Sequence, residues 1–288
     1  MNDDKDRAAL PRRRGVRRPQ LPTTQRLRDT APPATERTAP LAEDAELAAA
    51  TTASEADGAA SVGADADAEA KALRYLDAML EANQNLNLSG IRDRDAARVL
   101  HVADSFAIAD AVLTTPRIVI DLGSGNGFPG VAVAALWPQC QVICVERTTK
   151  KARAIEACAK ASGLFNVEVV AIDAAQIPAR IPGLRERADL VLSRAMAELG
   201  TVLRLALPLL ATPANACPAH RIVQWKADSV DAAERMASDL VARHARLARV
   251  ADHVYELAAT GSDAATRVRR LVIYDRLARS SSQRRSSS

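Results

Sequence analysis

The chain has 288 residues, of which 48% are apolar and 26% charged, with a net charge of +4. That is enough apolar material for one sizeable domain with appendages. No apolar run reaches the ~20 residues needed to cross a bilayer. Four Cys and four His, without a C-x-x-C pair or zinc-ligand spacing, argue against a metal site, a disulfide framework and a secreted protein, and so for the cytoplasm.

Charge is uneven along the chain. Residues 1–40 carry +5 and residues 41–70 carry −8, leaving +7 on the remainder. Residues 1–70 are Ala, Pro, Thr, Arg and acidic residues with few large apolar side chains. They are expected to form a disordered extension, first basic and then acidic. No apolar h-region marks a secretory signal, and the early acidic residues argue against an organellar transit peptide. Order is expected from near Glu69, giving a folded domain over 71–276. A second disordered basic tail is expected over 277–288.

Leu73, Leu76, Met79 and Leu80 recur at helical spacing. Asn83 to Asn87 end that helix. Asp93 is placed to cap a second one running to about Leu113, with Val99, Val102, Phe106 and Ile108 on its apolar side. From Arg117 strands and helices alternate. Strands are expected at 117–122, 140–146, 167–172, 188–193 and 220–225, and helices at 130–136, 149–162, 198–210 and 229–243. Two late strands, at roughly 245–257 and 267–275, form a closing hairpin. This pattern predicts an α/β fold: a mostly parallel seven-stranded sheet, helices on both faces, and N-terminal helices before it.

The first strand runs into Asp121-Leu-Gly123-Ser-Gly125-Asn-Gly127-Phe-Pro129-Gly130. In a doubly wound sheet, ligands sit at the carboxyl ends of strands where the strand order reverses. Gly125, Gly127 and Gly130 satisfy the dinucleotide pattern, a weak signal alone. Glu146 ends the second strand and can accept hydrogen bonds from ribose hydroxyls, as any adenosine ligand requires. Asp121 ahead of the glycines would order the loop or hold a cationic amino group, and would repel a pyrophosphate. Pro129, expected at the first helical position, removes a donor that a phosphate would use. Both favour S-adenosylmethionine over a nicotinamide dinucleotide.

Arg194 ends the fourth strand, facing the expected cleft, where it would orient cofactor or substrate; the alternative is an ion pair with Glu198. His101, Asp104 and Ser105 share one helix face, fit to support the site or touch substrate. Lys226 ends the fifth strand and could meet a phosphate or stand in solvent. Arg147, Lys150, Lys151 and Arg153 flank the same edge. No Asp/Asn-Pro-Pro-aromatic segment follows the fourth strand. Cys217-Pro218, the only Cys-Pro pair, falls in a loop before the fifth strand and is a poor nucleophile candidate.

Several segments in order carry a family resemblance: Asn87-Leu88-Ser89-Gly90-Ile91-Arg92-Asp93, His101 to Ser105, Asp121 to Gly130, Glu146 to Lys151, Ser193-Arg194-Ala195, and Trp225-Lys226. Over roughly residues 73–275 the sequence resembles the small-subunit ribosomal RNA guanine-N7 methyltransferases, the glucose-inhibited division protein B family. The resemblance implies a Rossmann-like class I methyltransferase that takes S-adenosylmethionine and acts on N7 of a guanine in 16S ribosomal RNA, free or in the small subunit. It implies cofactor contacts at Gly123, Phe128, Glu146, Ala174, Ala175 and Arg194, to which the loop itself adds Asp121 and Gly125. His101, Asp104 and Lys226 are the substrate candidates. The sequence departs from the family pattern at Phe128, at Ala174-Ala175 and at Ala227 after Trp225-Lys226. The alternatives are a methyltransferase with a non-RNA substrate and an NAD-binding oxidoreductase.

Overall fold

Five apolar segments pair side by side as parallel strands. In the computed structural model of the chain they are β1 (Ile118–Leu122), β2 (Gln141–Val145), β3 (Val167–Val170), β4 (Leu190–Arg194) and β5 (Arg221–Ala227), each within two residues of its expected start. The structure describes residues 53–212, 220–227, 230–250, 252–258 and 266–277, with side chains from residue 66 onward. The expected N-terminal tail up to residue 52, Cys217, and the C-terminal tail beyond residue 277 lie outside the described residues.

The three last strands are β6 (Leu247–Arg249), β7 (His253–Leu257) and β8 (Arg267–Arg276). The sheet order is β3-β2-β1-β4-β5-β8-β6, with β7 also on β8. β8 runs antiparallel to β5, β6 and β7. The sheet therefore has eight strand segments, not seven. The single strand expected over 245–257 is split. β6 pairs Arg249 with Tyr274, whereas β7 pairs His253 with Leu271, so four steps on one side match three on the other. The register thus shifts by one residue between the two segments, which lie end to end along one edge, and this keeps the sheet seven strands wide.

Strand order reverses at β1. β2 and β3 follow on one side, β4 and β5 on the other. The carboxyl ends of β1 and β4 thus face a crevice that the chain must leave open, and this is where the site lies. Both faces of the sheet are covered, so alternate residues enter two cores. Val119, Leu190, Leu192 and Trp225 pack with α5 (Gly130–Leu136), α6 (Thr149–Ala161) and α1 (Ala53–Asn83). Ile120, Leu122, Val191 and Tyr274 pack with α8 (Leu199–Ala206) and α9 (Ala232–His244). Each such buried side chain contributes about 1.5–3 kcal/mol relative to exposure.

Two helical expectations shift. α1 begins at Ala53, well ahead of Glu69. Its first half lacks large apolar residues but is rich in alanine, the strongest helix former, and Ala68 and Ala72 are small enough to pack fully buried beside Tyr75, Leu76 and Met79. The second helix is broken into short pieces: α2 (Arg94–Ala97), a π turn (Arg98–Ala103), α3 (Asp104–Phe106) and α4 (Ile108–Ala111). Asp93 caps it as expected, its carboxylate accepting from the Ala96 amide at 2.8 Å. The widened π turn carries His101 into the interior beside Val102. A short helix, α7 (Ile177–Arg180), follows β3.

Candidate functional site

The glycine loop is held by its own hydrogen bonds. The amides of Ser124, Gly127 and Val131 donate to the carbonyls of Val145, Ser124 and Gly127. Gly125 donates to Glu146 Oε2 at 3.0 Å, Phe128 to Asn126 Oδ1 at 3.2 Å, and Gly130 to Asp121 Oδ2 at 3.2 Å. These six donors, of the kind that would cradle a pyrophosphate, are spent within the protein. α5 starts at Gly130, so Pro129 is the cap residue before the helix and not its first residue, and it offers no donor in either place.

The glycines serve contact as well as conformation. Gly123 and Gly127 have φ of +69° and +96°, where side chains are strained. A Cβ on Gly127 would sit 2.1 Å from the Tyr75 hydroxyl, and one on Gly123 would sit 2.8 Å from Met196 Cγ. Asp121 is fully buried. Burial pushes its carboxyl up to about 6, and its Oδ1 has no partner. It orders the loop through Gly130, one of the two roles expected for it.

Two cavities meet at Gly123. The smaller, about 220 Å³, is walled by Val145, Ile172, Ala174 and Met196, with the carboxylates of Glu146 and Asp173 at its edge. Glu146 accepts from Gly125 and, at 2.7 Å, from the Thr148 amide, which leaves carboxylate lone pairs for other donors. Ala174 is buried, whereas Ala175 is exposed and its amide is taken by Asp173 Oδ1. Apolar walls with two carboxylates against one exposed arginine, Arg147, suit a flat base bearing a free ribose better than a phosphate.

The larger cavity, about 420 Å³, is lined by His101, Asp104, Asn126, Phe128 and three arginines: Arg194, Arg267 and Arg269. At its wall Asp104, 1% exposed, is a hub. Arg194 Nη1 donates to Oδ2 at 3.1 Å, the Tyr255 hydroxyl to Oδ1 at 2.6 Å, and Arg269 to both oxygens, at 3.1 and 3.2 Å. The Trp225 indole donates to the Asp104 carbonyl at 2.8 Å. Arg194 is thus paired with Asp104 and not with Glu198. Nη2 of the same guanidinium donates to the Phe128 carbonyl at 3.2 Å, tying β4 to the glycine loop. Burial draws the Arg194 pKa below its ordinary value, against the pull of Asp104.

His101 stacks on Phe128, with ring centroids 5.7 Å apart and 12° between planes. Burial and the nearby Arg194 lower its pKa to about 4, so the ring is neutral near pH 7. The Asn126 amide and Arg194 face the ring nitrogens: Asn126 Oδ1 accepts from Phe128, so Nδ2 faces His101 Nε2 at 3.2 Å, while Arg194 Nη2 lies 3.4 Å from Nδ1. The Ser89 hydroxyl lies 2.9 Å from Nε2, and Asn83 holds the Ser89 loop through Leu88 and Ser89.

The structure therefore brings Gly123, Gly125, Phe128, Glu146, Ala174, Arg194, His101 and Asp104 to one crevice, with Asp121 fully buried beneath the glycine loop. Lys226 is engaged elsewhere, 2.8 Å from Glu234 and 3.3 Å from the Ala197 carbonyl, so it is neither a solvated strand end nor an open phosphate contact. Arg147, beside the smaller cavity, is exposed, as are Lys150 and Arg153. Asp173, Met196, Tyr255, Arg267 and Arg269 were missed. Only Asp173, at a strand end, gave a signal in the sequence. Among the described residues no helix is long and apolar enough to cross a membrane, and no group of His, Cys, Asp or Glu could hold a metal ion.

A family model described as GidB, rRNA small subunit methyltransferase G, matches residues 68–238. Proteins called "Ribosomal RNA small subunit methyltransferase G" are similar: that of Chloroflexus aggregans is 37% identical over 137 residues, 48% of this chain and 57% of that protein. The protein of Solibacter usitatus is 43% identical over 100 residues, 35% of this chain and 47% of that one. That of Roseiflexus castenholzii is 37% identical over 136 residues, 47% and 58% of the two chains. The match spans about half the length of these relatives.

Proposed function

The chain belongs to the rRNA small subunit methyltransferase G family, and on that premise we propose that it transfers a methyl group from S-adenosylmethionine to N7 of a guanine in 16S small-subunit ribosomal RNA. The observation that carries the cofactor assignment is the glycine loop, six of whose amide donors are spent within the protein. A loop of this kind receives a ligand by close backbone approach and not by phosphate binding, which favours S-adenosylmethionine over NAD.

The residues present fit that cofactor. Glu146 would accept from the ribose, Ala174 and Ile172 would flank the base, and Gly123 would admit the chain between the two cavities. When bound, S-adenosylmethionine supplies a methyl group on a sulfonium. Guanine N7 carries a lone pair and no proton, so this chain needs no general base. Its task is alignment and exclusion of water. Arg194, fixed by Asp104 and the Phe128 carbonyl, would hold the pocket wall and glycine loop against which the guanine docks, leaving the N7 lone pair free for the methyl group. His101, neutral and fixed by Asn126 and Ser89, would support the wall of the guanine pocket.

The partner is taken to be ribosomal RNA or the small subunit, and the compartment the cytoplasm. The methyltransferase domain is taken to run from α1 through β8. The test is transfer of labelled methyl to purified small-subunit RNA and to small subunits, with mapping of N7-methylguanine. Calorimetry with S-adenosylhomocysteine and with NAD runs alongside, on wild type and Gly123→Val. Binding of S-adenosylhomocysteine that Gly123→Val abolishes, together with label at guanine N7, supports the reading. Binding of NAD alone overturns it, and label on a protein or small molecule but not on RNA overturns the substrate assignment.

A further inference from the structure

We propose that Arg269, at the wall of the larger cavity, is a substrate-binding residue that takes a phosphodiester of the RNA. The inference rests on the RNA methyltransferase reading and adds a contact on β8, beyond the family match that ends at residue 238.

Charge counting comes first. Arg194 and Arg269 share one carboxylate, Asp104. That carboxylate already accepts four bonds: from Tyr255 and Arg269 on Oδ1, and from Arg194 and Arg269 on Oδ2. Its acceptor sites are filled, and His101 is neutral. Asp121 also acts on Arg194 from beneath the glycine loop, whereas Asp104 is the one carboxylate among the described residues acting on Arg269. Arg269 therefore shares a saturated carboxylate and carries positive charge to the cavity wall, which an anion would complete.

Geometry decides which arginine faces the ligand. Arg194 is 10% exposed and is held on both arms, by Asp104 and by the Phe128 carbonyl. Arg269 is 25% exposed and bonds Asp104 through Nε and Nη2, so Nη1 makes no bond to Asp104 and remains on the outer edge of the fork. A planar fork clamped along one edge is a pre-organised phosphate donor along the other. Arg267, two residues earlier on β8, lines the same cavity. The smaller cavity sets two carboxylates, Glu146 and Asp173, against one arginine, Arg147, and is the poorer place for an anion.

The other anion available is the carboxylate of the cofactor, and the experiment separates the two. Full-length wild type, Arg269→Gln, Arg269→Lys and Arg267→Gln are compared for S-adenosylhomocysteine affinity and for binding of transcribed small-subunit RNA between 50 and 200 mM salt. For Arg269→Gln the expected result is unchanged S-adenosylhomocysteine affinity and RNA binding weaker by about ten-fold. The slope of log K against log salt should fall by about one. Arg269→Lys keeps the slope, because it keeps the charge. Should Arg269→Gln fail to fold, Arg269→Lys carries the test: it keeps the charge and the slope but loses the planar fork, so RNA affinity should fall while S-adenosylhomocysteine affinity holds. Arg267→Gln shows how much of any loss is general to the basic wall. An unchanged slope in Arg269→Gln, or unchanged RNA affinity in Arg269→Lys, overturns the proposal. Loss of S-adenosylhomocysteine affinity assigns the charge to the cofactor instead and also overturns it. Failure of wild type to methylate RNA is a different outcome: it removes the functional reading, and this inference with it.

Discussion

The Tyr75 hydroxyl donates to the Asn126 carbonyl at 2.9 Å, across 51 residues of sequence, and it does so over the bare Cα of Gly127. The first helix thus closes on the glycine loop by the one route a side chain at Gly127 would block. Gly127→Ala should combine a strained φ with a steric clash against a fully buried ring and destabilise the protein by about 3 kcal/mol. Tyr75→Phe removes the bond alone and should cost about 1 kcal/mol. Urea denaturation of the two variants gives both values, and equal losses would show that the bond, not the close approach, matters.

Asp104 binds two arginines, a tyrosine and, through its carbonyl, a tryptophan. Asp104→Asn should leave the Arg194 and Arg269 guanidiniums without a counter-charge, a loss of about 3–5 kcal/mol. Asp104→Glu keeps the charge but moves it by a methylene, and should recover part of the loss. Thermal unfolding in parallel with S-adenosylhomocysteine binding checks this.

Two buried groups act on stability in opposite directions as pH changes. Asp121 titrates near 6 in the folded chain and at its ordinary 3.8 when unfolded, so the folded state holds the extra proton and stability falls as pH rises from about 4 to 6. His101 titrates near 4 when folded and at 6.5 when unfolded, so the unfolded state holds the extra proton and stability rises over nearly the same range. Each amounts to about 3 kcal/mol, and in wild type the two should largely cancel. Asp121→Asn should expose a rise in stability between pH 4 and 6.5, and His101→Gln a fall between pH 4 and 6. A denaturation series across that range reads both slopes, and parallel wild-type and variant curves would refute the assignment.

Glu146 holds Gly125 and Thr148 before any ligand arrives. Glu146→Ala removes both acceptors and the proposed ribose partner together, and S-adenosylhomocysteine affinity should drop by at least ten-fold. Glu146→Gln keeps one acceptor oxygen and should fall between. Titration calorimetry decides, and unchanged affinity in Glu146→Ala would remove Glu146 from the cofactor site.

Most of the sheet and the glycine loop were legible because their signals are local. β1 to β5 are short apolar runs, and the loop spells its own turns. The start of α1 was not legible, since alanine looks uninformative until its packing is seen at Ala68 and Ala72. The Asp104 hub could not be read at all. Its partners Arg194, Trp225, Tyr255 and Arg269 stand 90, 121, 151 and 165 residues away, and nothing in the intervening sequence records that they meet. Lys226 misled for the opposite reason: it lies at the right strand end, but Glu234, eight residues on, claims it.

The bond from Asp104 to Arg269 joins the segment before β1 to the last strand. The wall of the larger cavity is therefore a product of both ends of the domain. During synthesis the glycine loop, Glu146 and Arg194 leave the ribosome well before β8 does, but Asp104 has only part of its retinue until the final strand slots in beside β5. Contacts of such long sequence separation form late. A nascent chain can assemble the Glu146 side of the crevice early, whereas the wall built on Asp104 and Arg269 waits for β8.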